Sequence, residues 1–330
     1  MSVKFVNTSQ VPLALAVFLA SDSYDKSEEE HTISATTLLK PVRQIILPLR
    51  IPQGMGLPNL GDMMTSRIGT AVHDAIEHAW LNNPQAALEA IGYPQHVIDR
   101  IIINPSDEID LTDKFPIYLE QRVTRKVGKW TVSGKYDFIS EGRVQDFKTT
   151  GTYTYMKQTN TQKYIEQGSI YRWLNESIIT DSVLDIHYIF TNWTAAQAKY
   201  DPKYPSNRFL TQSFDLMDVS ATQQMISHKL AQIEQFIDVD EDSIPECTDA
   251  DLWRSDPKYK YYKNGDINSK RSTKNFDTMQ EAIIYQSTSG GSGGAIREVP
   301  GSVMACKYCA AFALCSQKDN LLASGDLTLN

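Results

Sequence analysis

Gly134-Lys135-Tyr136-Asp137-Phe138-Ile139-Ser140-Glu141-Gly142-Arg143-Val144-Gln145-Asp146-Phe147-Lys148 alternates side-chain character on both sides of a Glu141-Gly142 pair. Period-two alternation marks strands and a Gly-containing pair marks a tight turn, so the segment reads as strands 129–139 and 143–149. A third candidate, 117–123, precedes them across Gly128, which makes a three-stranded meander. Upstream, Thr65–Leu81 sets Ile68, Val72, Ala75, Ile76, Ala79 and Trp80 at helical spacing. Downstream, a helical pattern runs from about Thr161 to Ile178, Leu184–Phe190 reads as a strand, and 221–237 reads as an amphipathic helix. Helix, strands, helix, strand is the order of an α/β fold with a mixed central sheet flanked by helices.

Alternation sends Asp146 and Lys148 to one face of their strand and Phe147 to the other. A carboxylate that can hold a divalent cation beside an ammonium that can orient water suits phosphodiester hydrolysis. By itself such a tripeptide is common and usually forms a solvated strand face. Asp137, on the preceding strand, comes close enough across the turn to share a cation, and Gly134 permits close backbone approach. His73 lies on the upstream helix; a lone helical histidine is commonly a packing residue, but neutral imidazole is also a metal ligand. His73 and His78 stand five residues apart, about 140° around a helix, so they cannot grip one ion together. Gln167 and Tyr171, at i and i+4, share a face of the helix that follows the strands.

Taken in order, a helix with G-x-x-x-H (Gly69 to His73), a strand with G-x-x-D (Gly134 to Asp137), a strand with D-x-K (Asp146 to Lys148) and a helix with Q-x-x-x-Y (Gln167 to Tyr171) resemble the RecB-like PD-(D/E)XK nucleases. That group includes AddB-type, CRISPR-associated and phage exonuclease relatives. The match covers roughly residues 65 to 175. The resemblance implies a Mg²⁺- or Mn²⁺-dependent deoxyribonuclease, an exonuclease acting on DNA in recombination, repair or phage DNA processing. It assigns the metal to His73, Asp137, Asp146 and the backbone carbonyl of Phe147, the nucleophilic water to Lys148, and support of the site or of the DNA backbone to Gln167 and Tyr171. Glu120 is a further acidic candidate. No proline precedes Asp137, in keeping with the RecB-like branch.

The four cysteines, Cys247, Cys306, Cys309 and Cys315, all lie in the last third, three of them as C-x2-C-x5-C. Such clustering, without a convincing export signal, reads as a metal site rather than a disulfide framework. It resembles the [4Fe–4S] staple of AddB-type nucleases, although there the lone cysteine commonly precedes the nuclease motifs. Zn²⁺ at the four thiols is the alternative.

The division expected is an N-terminal helical segment packing on the core (1–60), the nuclease core (61–237) and a C-terminal region (238–330) holding an aromatic and basic segment and the cysteines. The Asp22–Glu30 stretch reads as an acidic turn and Ser289–Gly294 as a flexible loop. A net charge of -8 argues against a protein that coats nucleic acid through a broad basic surface, yet leaves room for a local basic groove. Lys258-Tyr259-Lys260-Tyr261-Tyr262-Lys263, with Lys270, Arg271 and Lys274, mixes cations with aromatics as single-strand binding surfaces do, and equally as a solvated hairpin does. The apolar run Val11–Ala20 is too short to span a bilayer and poor as a signal peptide. The expected setting is the cytoplasm of a bacterial or phage-infected cell. The expected partners are single- or double-stranded DNA ends and a helicase or single-strand annealing protein. The rival reading is a catalytically silent DNA-binding or scaffolding subunit that keeps a nuclease fold.

Overall fold

A computed structural model describes residues 5–21, 29–52, 54–290 and 293–329. Most of the acidic stretch Asp22–Glu30 and the middle of the Ser289–Gly294 run lie outside the described residues. The chain forms two compact units, one of residues up to 40 together with 58–232, the other of 41–57 together with 233–330.

Among the described residues the first unit holds nine strands: β1 (Thr32–Ser34), β2 (Ile101–Ile103), β3 (Phe115–Leu119), β4 (Arg122–Val127), β5 (Trp130–Lys135), β6 (Phe138–Ser140), β7 (Arg143–Thr150), β8 (Val183–Phe190) and β9 (Phe209–Asp215). They form a six-stranded mixed sheet, β2-β3-β6-β7-β8-β9, and a three-stranded sheet, β1-β5-β4. The single meander expected from alternation is thus shared between two sheets. Leu119 pairs with Phe138 in one sheet and Arg122 with Lys135 in the other. Both runs break at the same level, at Glu120–Gln121 and at Tyr136–Asp137. Glu120 makes the corner with a left-handed φ of 50°, a conformation an L-residue adopts only where its surroundings hold it. Tyr136 plugs the inside of the bend, wholly buried, with its hydroxyl donating to Gln121 Oε1 at 2.8 Å. Asp137 therefore sits in the break, not on a strand as expected.

The β6–β7 turn follows local chemistry. Ser140 pairs with Arg143 across Glu141 and Gly142, whose φ values are both positive, +51° and +75°. Two left-handed residues make the type I′ turn, whose twist matches that of a hairpin. Beyond it β7 runs parallel to β8, in register from Val144↔Leu184 to Thr150↔Phe190, and the connection between them carries the helix Thr161–Leu174. That helix ends four residues earlier than the expected Ile178. It covers the face on which Val144 and Asp146 are buried beside Leu184, Ile186 and Tyr188. Gly168 permits the contact, since a Cβ there would stand 3.0 Å from Leu184 and from Leu216.

On the other face Trp80, from the helix Met64–Asn82, meets Phe138 edge-on at 5.3 Å, and Phe138 meets Phe147 at 6.2 Å. Aromatic pairs of this kind contribute about 0.5–1.5 kcal/mol each beyond their buried area. The helix forms where its 3.6-residue pattern predicts, yet none of its residues is fully buried. Its apolar stripe lines an open groove with Phe18, Ile189 and Phe209.

In the second unit Val42, Ile46 and Leu47 form a cluster with Ile244, Ala311 and Cys315. The first 60 residues are consequently divided between the two units instead of forming one segment, because the apolar side of 42–47 is buried against the cysteine tail. Arg43, 2% exposed, donates to the carbonyls of Glu241, Ile244 and Pro245 at 3.1, 2.9 and 3.3 Å and pairs with the Glu241 carboxylate. A second cluster joins Leu252, Val303, Cys306, Leu321 and Leu327. The unit also carries an antiparallel sheet of β10 (Lys258–Tyr262), β11 (Lys274–Phe276) and β12 (Ala295–Val299), in the order β11-β10-β12. Among the described residues no helix is long and apolar enough to cross a membrane.

Candidate metal centre

The break in β6 exposes the edge of β7 and so builds the centre. Phe138 pairs with Gln145, so continuing the register would set Tyr136 against Phe147. The chain bends away first, which leaves the Phe147 N–H and C=O without a strand to bond. Side chains take over, as buried backbone groups require. Asp137 Oδ2 accepts from Phe147 N at 2.9 Å, and His73 Nε2 contacts Phe147 O at 2.9 Å. The other ring nitrogen, Nδ1, lies 3.4 Å from Asp137 Oδ2 and 4.0 Å from Glu120 Oε1.

His73, Glu120 and Asp137 therefore each place a ligand atom within 4.8 Å of the others. Helix, corner and break each supply one of them. The expected set is altered in two ways. Glu120, a secondary candidate from sequence, belongs to the compact group because its left-handed corner turns it inward. Asp146 stands outside that group: its carboxylate points to Lys148 Nζ at 2.6 Å and accepts from Gln167 Nε2 at 3.3 Å. The ammonium contact with Asp146 Oδ2 is one of charge and proximity, since that buried oxygen accepts no directed hydrogen bond.

Gln167 and Tyr171 act as one unit, Gln167 Nε2 also donating to Tyr171 Oη at 2.8 Å. Lys148 reaches Gln167 Oε1 at 3.5 Å and lies 5.4 Å from the Tyr164 ring centre. Gly134 sets the depth of this helix, because a Cβ there would stand 2.5 Å from Leu174 Cδ1 and 3.1 Å from Tyr171 Cδ1. Sequence pattern alone does not single out Lys135. Its Nζ lies 2.6 Å from Glu120 Oε2. The i, i+2 spacing of Lys135 and Asp137 is the available signal in the sequence.

The electrostatics follow from burial set against neighbours. Burial opposes the charge on His73, but Asp137, with Asp146 and the Phe147 carbonyl, raises its pKa to about 9. Burial also disfavours ionised Asp137; His73, Lys148 and the Phe147 N–H more than offset this and hold it below the usual carboxylate range. Burial pushes Asp146 up to about 6, against the pull of Lys148. Glu120 is raised, again by burial first, with Lys135 opposing. The centre therefore holds three carboxylates and balances them with an imidazolium and two ammonium groups.

All four cysteines are free thiols. Burial raises Cys247 to about 12 and Cys306 to about 11, and in both the neighbouring cysteines Cys309 and Cys315 add to the shift, so the four share one neighbourhood. Gln44 Nε2 approaches Cys247 Sγ at 3.9 Å and Arg43 Nη1 approaches Cys315 Sγ at 3.8 Å. A tetrahedral zinc site with Zn–S bonds of about 2.3 Å needs sulfurs about 3.8 Å apart. Among the described residues no three of these sulfurs lie within 4.8 Å of one another.

No protein-family model and no curated protein matches the chain. Among solved structures it is similar to SSO0001, at 14% identity over 63% of this chain and 78% of that one, with a TM-score of 0.38. It is also similar to an alkaline exonuclease from Laribacter hongkongensis, at 11% identity over 63% of this chain and 90% of that one, TM-score 0.28. A phage-related exonuclease from Haemophilus somnus 129PT matches at 11% identity over 63% and 95%, TM-score 0.29. At TM-scores this low neither a common fold nor a common activity follows. The chemistry of the centre has to carry the function.

Proposed function

We propose that the chain is a metal-dependent DNA nuclease of the RecB-like PD-(D/E)XK type, and that it works as an exonuclease. One observation carries the reading: the bend at Glu120 and Asp137 gathers His73, Glu120 and Asp137 at the bared edge of β7, beside the Asp146–Lys148 pair. Carboxylate and carbonyl oxygens suit Mg²⁺ or Mn²⁺, an imidazole nitrogen beside them is a transition-metal ligand, and the buried Asp146 Oδ2, which accepts no directed hydrogen bond, is a further oxygen ligand in reserve. His73, Glu120, Asp137, Asp146 and the Phe147 carbonyl would hold the cation. Once bound, it supplies Lewis acidity toward a phosphoryl oxygen and lowers the pKa of a water.

The chain's own residues do the rest. Lys148, held by Asp146 and Gln167, presents an ammonium that orients the attacking water and balances charge developing on the phosphate. The Gln167–Tyr171 pair fixes the rotamer of Asp146 through the 3.3 Å bond. To ligate, His73 gives up the proton that Asp137 makes it hold, so cation binding and proton release are coupled.

For the cysteines we propose a structural [4Fe–4S] cluster. The support is the shared neighbourhood of the thiols and the N–H donors aimed at two of the sulfurs. The expected partners are DNA ends and, in the cell, a helicase or annealing protein.

The test uses anaerobically purified protein, assayed with Mn²⁺ on end-labelled linear DNA and on closed circular DNA, with iron and zinc counted in the same sample. The expected result is release of short products from linear DNA only, and none from Asp146→Ala or Lys148→Ala with the fold intact. Wild-type cleavage by Asp146→Ala would refute the assignment. No cleavage by the wild type would favour a silent scaffolding subunit.

A further inference from the structure

Between residues 258 and 274 the chain carries six cations, Lys258, Lys260, Lys263, Lys270, Arg271 and Lys274, and one carboxylate, Asp266. That is +5 within a protein of net charge -8. The segment is a hairpin: Tyr261 pairs with Lys274, and an eleven-residue loop, 263–273, joins β10 to β11. The loop is built. Lys263 N donates to Thr273 Oγ1 at 3.0 Å, Thr273 N to Tyr261 O at 2.8 Å, and Arg297 of the neighbouring β12 donates to Ile267 O at 3.2 Å. The one acid is spent inside it, since Asp266 accepts from Asn268 N at 3.0 Å and from Ser269 Oγ at 2.7 Å.

Five of the six cations divide by role, and Lys260 is half-buried in β10. Lys258 pairs with Asp277, and Lys274 lies over the Tyr285 ring, 4.5 Å from its centre. Lys263, Lys270 and Arg271 are exposed and form no ion pair among the described residues. Of the aromatics, which alone would suggest base stacking, two are buried, and Tyr259 and Phe276 are half-buried. Tyr261 is wholly buried and meets Tyr285 at 5.3 Å; Tyr262 is 6% exposed; Phe276 meets Tyr285 at 5.2 Å. What the 263–273 loop shows to solvent is charge without rings, since no aromatic residue lies within it.

We propose that this hairpin binds the sugar-phosphate backbone of DNA, independently of base sequence, through Lys263, Lys270 and Arg271. The partner class rests on the nuclease reading; the surface itself does not. A protein of net negative charge meets a polyanion through a local positive feature, and phosphate contacts of this kind act by releasing counterions. Double- and single-stranded DNA would both bind, because both present phosphates.

The test measures binding of a fluorescein-labelled 30-nucleotide single strand and of its duplex to the full chain in EDTA, which prevents metal-dependent cleavage, across 50–200 mM salt. Each phosphate contact contributes about 0.9 to the slope of log K against log salt on duplex and about 0.7 on single strands. The triple variant Lys263→Ala, Lys270→Ala, Arg271→Ala should flatten the slope by about 2.7 on duplex and about 2.1 on single strands. A control that removes three exposed lysines elsewhere, Lys114→Ala, Lys199→Ala, Lys203→Ala, should leave it near wild type. Wild-type affinity and slope in the hairpin variant, or an equal loss in the control, would overturn the proposal. Hairpin-dependent binding by a wild type that cuts no DNA would sustain it and refute the nuclease reading alone.

Discussion

His73 should make the metal-free protein lose stability as the solution turns alkaline. Its imidazole lies against Asp137 and the Phe147 carbonyl, which raise its pKa from 6.5 to about 9. Below 6.5 the folded and unfolded chains both carry the proton, and the contribution of His73 is present in full. Between 6.5 and 9 the folded state alone retains it, so stability falls by up to about 1.4 kcal/mol per pH unit. Above 9 the contribution is gone. The whole step is about 3 kcal/mol, counted once, since the lowered pKa of Asp137 expresses the same contact from the other side. For a unit of this size that corresponds to about 6–12 °C in Tm. Asp146, raised to about 6, completes its titration near the lower edge of the window and adds slope only there. Thermal melts in EDTA from pH 7 to pH 8.5, below the range in which the raised Cys247 and Cys306 add a decline of their own, should show the decline in wild type and a flatter profile in His73→Gln. The direct measurement is the NMR titration of the His73 ring. A midpoint near 6.5 would refute the argument, because Asp137 would then not be holding the proton.

Gly134→Ala should destabilise the protein by about 1–3 kcal/mol. Leu174 can swing its terminal methyl aside, whereas the Tyr171 ring, 4% exposed, cannot; a wild-type Tm would show that the helix Thr161–Leu174 does not depend on this glycine. Glu120→Gln should weaken Mn²⁺ binding, followed by calorimetry, by about tenfold or more, and an unchanged Kd would remove Glu120 from the centre. Arg43→Met should cost about 3 kcal/mol by leaving Glu241 and several carbonyls without their buried partner. Urea denaturation reads this, and a midpoint equal to wild type would mean that the pair contributes nothing.

Local rules reach a good part of this architecture. Alternation from Arg143 onward places β7 and puts Asp146 and Lys148 on one face, where they meet at 2.6 Å. The 3.6-residue pattern places the helices that carry His73 and Gln167, and Glu141-Gly142 makes the hairpin turn. Each of these depends on neighbours a few residues away. The corner at Glu120 does not. Its sequence neighbours form an ordinary strand pattern, and nothing about a glutamate signals a left-handed φ. The cost of that conformation is met by Tyr136 and Gln121, which meet only when two strands lie side by side.

The linear chain by itself determined which side chains could do chemistry: the Asp146–Lys148 face, His73 on its helix, Asp137 in its glycine motif, and four cysteines in one third of the sequence. The tertiary structure alone decided how they group. It drew Glu120 into the compact set with His73 and Asp137, turned Asp146 toward Lys148, and brought Arg43 and Gln44 to sulfurs about 200 and more residues away. The physical reason is that a ligand set is defined by distances across strand breaks and between packed elements. Those distances depend on where β6 stops and on how closely Gly134 lets a helix approach, and neither is a property of any short stretch of sequence.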